Sequence, residues 1–68
     1  MTITVHVNGV ARTVDAPVAL DALVATLTAA PSGVAAALND TVVPRTRWPA
    51  TALADGDRVE VLTAVQGG

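Results

Sequence analysis

Cysteine does not occur in this 68-residue chain, and neither do tyrosine or phenylalanine. Without a thiol there is no disulfide, no thiolate metal site and no side chain that could hold a persulfide. Lysine is missing as well, because the four cationic side chains are all arginines: Arg12, Arg45, Arg47 and Arg58. No side-chain amine is therefore present to anchor a ubiquitin-style polymer. Four scattered arginines against six acidic residues leave a net charge of -2, which argues against nucleic acid as a partner, since that binding relies on clustered positive charge. Long apolar runs are also absent. Nothing approaches the roughly 18 to 20 residues that a membrane-spanning helix needs. Met1 to Asn8 alternates polar with apolar residues, where a signal peptide requires an unbroken apolar stretch. The sequence reads as soluble and cytoplasmic, with no membrane partner.

What is present points to one small packed domain. Hydrophobic residues make up 51% of the chain, well above what a disordered segment carries. A chain of this size typically buries only about 60% of the surface that its unfolded form exposes, which allows a thin core and no deep, enclosed active site. The protein is therefore read as a non-enzyme.

Ile3, Val5 and Val7 alternate with Thr2, Thr4, His6 and Asn8, the two-residue period of a strand buried on one face. Asn8-Gly9 tolerates the positive φ of a tight hairpin turn, and Val10 to Val14 follows as the return strand. From Val18 the period changes: Leu20, Leu23, Val24 and Leu27 lie on one helical stripe. Pro17 suits the first turn of that helix, with Asp15 or Ala16 as an imperfect cap, and Pro31-Ser32-Gly33 ends it. Val34 to Leu38 reads as a short strand, Asn39-Asp40 as a turn and Thr41 to Val43 as another short strand. Pro44 to Pro49 is read as irregular, because proline restricts its predecessor and offers no amide donor. Asp55-Gly56-Asp57 is a tight turn, and Arg58 to Val65 is a second strong strand with Val59, Val61, Thr63 and Val65 on one face.

This order of elements is the β-grasp plan, an α+β fold with a mixed sheet of four to five strands and one main helix packed on one face. The first and last strands are expected to pair in parallel at the sheet centre. Residues 1–65 form the domain, and 66–68 are expected to be a flexible tail ending in Gly-Gly. Glycine without a Cβ can thread a narrow channel and leaves a terminal carboxylate open to attack; the alternative is that the sheet simply frays into a soft end. Ordering such a tail costs about 1 to 2 kcal/mol per residue, so an enzyme using it must grip it firmly.

The whole chain resembles the ThiS family, the sulfur carriers of thiamin thiazole biosynthesis. The likeness is carried by Asp55-Gly56-Asp57-Arg58-Val59-Glu60-Val61-Leu62-Thr63-Ala64-Val65-Gln66-Gly67-Gly68, and by Leu38-Asn39-Asp40-Thr41-Val42-Val43-Pro44-Arg45 with Trp48 beyond it. It departs at Pro17-Val18-Ala19, where such carriers often show a hydroxyl cap. The resemblance implies that Gly68 is the site of adenylation and thiocarboxylate formation. It also implies three partners: an E1-like adenylyltransferase of the ThiF type, a cysteine desulfurase or other sulfur donor, and a thiazole synthase of the ThiG type. No cofactor would be bound by the carrier itself; ATP and Mg²⁺ are used by the activating partner. Partner contacts are expected at Gln66, Gly67, Leu62, Ala64 and Arg58. The alternatives are a molybdopterin-type sulfur carrier, usually longer, a ubiquitin-like modifier joined to target lysines, and an interaction module whose Gly-Gly is incidental.

Other residues receive plainer readings. Leu62 faces outward if Val59 and Val61 face the helix, as ordinary surface or as part of a docking patch. Arg45, Arg47 and Arg58 could meet an acidic partner surface, but exposed charges usually just solvate, and they are read as solvated charges. Trp48, the single aromatic residue, plugs one end of the core. His6 lies on the polar face of its strand, and with no further ligands in sight it is surface rather than metal site. Asp55 and Asp57 flank Gly56 and serve the turn rather than acid-base chemistry.

Overall fold

The computed structural model of the chain describes residues 1–27 and 33–63. Five strands form one sheet: β1 (Thr2–Val7), β2 (Val10–Asp15), β3 (Val34–Leu38), β4 (Thr41–Val43) and β5 (Arg58–Thr63). Helix α1 (Leu20–Leu27) separates β2 from β3, and a short 3₁₀ helix (Arg45–Ala50) separates β4 from β5. The sheet order is β2-β1-β5-β3-β4. β1 and β5 run parallel, with His6 beside Arg58 and Val7 beside Val59, while every other pairing is antiparallel. The expected central pair of first and last strands is thus the observed one.

Alternation puts Ile3, Val5 and Val7 of β1 and Val59 and Val61 of β5 under α1, whose Leu20, Leu23 and Val24 close the core from above. At about 1.5 to 3 kcal/mol per buried aliphatic side chain, these residues supply the bulk of the stabilisation that so small a core has available. Trp48 and Leu53 are buried in the same core. Every buried hydrophobic residue among those described lies between Ile3 and Val61.

Three details differ from the sequence reading. β2 runs one residue further, to Asp15, because Asp15 pairs with Thr2. Helix α1 begins at Leu20, and Pro17 lies outside it beyond a cis Ala16–Pro17 bond. The segment before the helix is held in place by a distant loop: Leu53 N–H donates to Val18 O at 2.9 Å, Leu20 N–H donates to Thr51 O at 2.9 Å, and Ala19 bridges Ala52. Those long-range bonds set the helix start in place of the cap expected from Asp15 or Ala16. Finally, Pro44 to Pro49 is ordered. Pro44 stands just before a 3₁₀ helix that contains Pro49, and the Thr51 hydroxyl donates to Arg47 O at 2.6 Å to close it. The expected helix end at Pro31-Ser32 and the continuation of β5 to Val65 lie outside the described residues.

Candidate functional site

β5 is the strand that leads toward Gly67-Gly68, and its start is fixed by a dense set of turn contacts. Gly56 adopts φ +87°, a conformation that side chains resist, and its N–H donates to Thr4 O at 2.7 Å. The Asp55 carboxylate accepts from Thr4 N–H at 2.7 Å, and the Asp57 carboxylate accepts from Ala54 N–H at 2.8 Å and from Asn39 Nδ2 at 3.1 Å. Asp57 therefore serves the backbone of the turn, as read from the sequence, while Asp55 ties the turn to strand β1. Asn39, at φ +49° in the β3–β4 turn, also accepts from Arg58 N–H through its Oδ1 at 2.9 Å, while its own N–H donates to Arg58 O at 2.8 Å.

From this start β5 presents Val59 and Val61 to the core and Arg58, Glu60 and Leu62 to the open face of the sheet. Leu62 is 66% exposed. Register places Ala35 opposite it, and Ala37 opposite both Glu60 and Val42. Val42 is itself 71% exposed. Leu62, Ala35, Ala37 and Val42 thus make an apolar strip across β5, β3 and β4 on the face away from α1. Toward the other end of β5 the same face is polar. There His6, Asn8, Gly9, Arg58, Val59 and Glu60 line an open hollow of about 470 Å³, and Arg58 pairs with Asp40 at 2.9 Å with both side chains well exposed. Such an exposed pair contributes at most about 1 kcal/mol.

The remaining candidates fall as follows. Trp48 is buried at 3% exposure, and its Nε1 donates to Val43 O at 2.9 Å. Arg45 is exposed, as expected, and its guanidinium also lies 5.9 Å from the Trp48 ring centroid, within range of a cation–π contact. Arg47 and His6 are exposed. Among the described residues no polar or charged side chain is buried, and no three acidic or histidine side chains gather where they could hold a metal ion. Ala64, Gln66, Gly67 and Gly68 lie outside the described residues.

The described part of the site is the open face of a firmly paired strand, with an apolar strip at the end nearest residue 64 and charges at the other. Val42, Ala35 and Ala37 were not singled out from the sequence. Their signal lies in the β3–β5 and β3–β4 register, which a chain of short apolar segments does not reveal by itself.

Comparison with known proteins returns one consistent result. A model described as the ThiS family matches residues 5–68. Among solved structures, the chain is similar to the crystal structure of the thiamine biosynthesis protein ThiS from Geobacter metallireducens, at 35% identity and a TM-score of 0.78, covering 97% of this chain and 100% of that one. It is also 36% identical over 66 residues to the uncharacterized protein ycf40 of Pyropia yezoensis, covering 97% of this chain and 93% of the other.

Proposed function

The chain belongs to the ThiS family, and from that premise we propose that it carries sulfur, as the thiocarboxylate of Gly68, to the enzyme that builds the thiazole ring of thiamin. It acts as a stoichiometric co-substrate. The structural observation that most supports this reading is that the strand leading to Gly67-Gly68 is the central strand of the sheet, paired with β1 on one side and β3 on the other. An enzyme that grips the globule therefore grips the root of the tail. A free edge strand would serve this purpose less well, because only one neighbour would hold it.

The chemistry follows from the state of a carboxylate. At neutral pH Gly68 would be anionic and a poor electrophile, so sulfur cannot displace its oxygen directly. An E1-like adenylyltransferase, using ATP and Mg²⁺, would join the carboxylate to AMP with release of pyrophosphate. The outer sulfur of a partner's persulfide, drawn from cysteine by a desulfurase, would then displace AMP to give an acyl disulfide, and a second thiol on the partner would cleave its S–S bond, forming a partner disulfide and releasing the Gly68 thiocarboxylate. The product thiocarboxylate is itself nucleophilic and would deliver its sulfur to a thiazole synthase. The absence of cysteine from the chain is consistent with a terminal route, since no side chain could hold the sulfur.

The test is direct. Purified protein incubated with the activating enzyme, ATP, Mg²⁺ and a sulfur donor is expected to gain the mass of one oxygen-to-sulfur exchange and then to support thiazole formation with the synthase. Adducts on other proteins would instead mark a modifier, and support of molybdopterin formation would mark the sibling pathway.

The apolar strip gives a second expectation. Leu62→Asp places a charge in the strip while leaving the core untouched, so its melting temperature is expected to stay at the wild-type value. The KM of the activating enzyme for the carrier is expected to rise about tenfold, the cost of spoiling one apolar anchor of an interface. Unchanged adenylation kinetics in Leu62→Asp would mean that the strip is ordinary surface.

A further inference from the structure

The side chain of Asn8 makes two hydrogen bonds to a single residue far along the chain. Its Nδ2 donates to Val61 O at 3.1 Å, and its Oδ1 accepts from Val61 N–H at 2.9 Å. Asn8 is also the residue at which β1 leaves the sheet, at φ +50° in the β1–β2 turn, and its own N–H donates to Val59 O at 2.9 Å. The backbone pairing of β1 with β5 ends at Val7 beside Val59. A primary amide carries the same donor and acceptor as a peptide unit. The Asn8 carboxamide therefore stands where the next peptide of β1 would have bonded to β5, had the chain not turned away.

We propose that Asn8 is a positioning residue for the carrier's C-terminal end. Its carboxamide adds one further rung to the β1 side of the ladder, so that β5 is held from both sides as far as Val61 instead of Val59. This role rests on the reading that Gly68 is seated in the active site of an activating enzyme. Beyond the last two-sided rung the strand is held by β3 alone, through the pairs Ala35 with Leu62 and Val34 with Thr63. Removing the rung lengthens the stretch that the enzyme must order before Gly68 can react, and each residue added to that stretch has an entropic cost. Asn39 makes a similar bond at the other end of β5, to Arg58, but there it secures the start of the strand and not its exit.

Asn8→Gly is the informative variant, because glycine keeps the positive φ of the turn and deletes only the carboxamide. The KM of the activating enzyme for this variant is expected to rise at least about tenfold, as for ordering up to two further residues, with kcat within about twofold of wild type because the seated carboxylate is unchanged. Amide exchange at Val61, followed by NMR, is expected to speed up at least about tenfold while the core amide of Val5 stays protected. Ile3→Val serves as the control for lost stability alone, since it trims the core at the opposite end of β1 and should leave KM unaltered. Asn8→Asp, which keeps the acceptor and loses the donor, carries the same test if the glycine variant fails to fold. A wild-type chain that is not activated at all overturns the functional reading. Normal activation of wild type with an unchanged KM in Asn8→Gly, or an equal KM rise in Ile3→Val, overturns the positioning role alone.

Discussion

A chain ending at Gly67 is expected to accept no sulfur from the activating system, while folding and melting as the full-length protein does. Deleting Gly68 moves the carboxylate back by one residue, roughly 3.3 to 3.6 Å of extended chain. Acyl transfer needs the reacting atoms within about 3 to 3.5 Å of each other, and a misplacement of about 1 Å already costs on the order of 100-fold. Pyrophosphate exchange should therefore fall by more than about 100-fold relative to the intact chain. Stability should be untouched, because the described core lies entirely between Ile3 and Val61. The two measurements together locate the effect at the terminus. If the shortened chain is still converted to a thiocarboxylate and still supports thiazole formation, the assignment of Gly68 as the reacting group is wrong.

Trp48→Ala is expected to remove a large share of the protein's stability. Its indole is the largest side chain in the sequence, it is 3% exposed, and Nε1 satisfies the carbonyl of Val43 at 2.9 Å. Truncating a buried tryptophan costs about 3 to 5 kcal/mol. A domain of this size has a total stability of about 3 to 10 kcal/mol, at about 0.05 to 0.15 kcal/mol per residue. The loss is therefore a large share of the whole. In a thermal melt it corresponds to a fall of roughly 15 to 30 °C. Trp48→Phe retains most of the apolar area but leaves the Val43 carbonyl without its donor, so a smaller loss of about 1 to 3 kcal/mol is expected. A Trp48→Ala protein that melts within a few degrees of wild type would show that the 3₁₀ segment is not a structural plug. The carrier activity of such a variant, assayed below its melting point, should follow the fraction folded, since Trp48 lies away from the apolar strip.

Around the candidate site, the sequence was legible where a feature depends on residue type and order over a few positions. The Asp55-Gly56-Asp57 turn is such a feature, and the structure places it at the start of β5. Leu62 was placed on the open face by alternation alone, and the structure puts it there at 66% exposure. Its neighbours Val42, Ala35 and Ala37 were not foreseen, because which strands lie side by side is a property of the sheet and not of any one segment. Arg45 was read as a solvated charge and is exposed, but its approach to the Trp48 ring was not foreseen. Both residues lie between Pro44 and Pro49, a stretch in which no periodicity could announce that contact.

Asn8 and Asn39 show the same limit more sharply. Each is a turn residue on sequence grounds, and each adopts the positive φ expected of it. That their amides also bond to β5, at Val61 and Arg58, follows from contacts with residues 53 and 19 positions away.

By itself the sequence determined the alternation of β1 and β5, the apolar stripe of α1 and the turns between strands, because each of these is set by side-chain period and backbone preference over a few residues. Tertiary structure alone decided where α1 begins, that Arg45–Ala50 winds into a 3₁₀ helix, and how the exit of β5 is held. The physical reason is common to all three. In each case the hydrogen-bond partner or packing surface comes from a distant part of the chain, Thr51 for Leu20, the core for Trp48 and Asn8 for Val61, and it exists only once the sheet has closed.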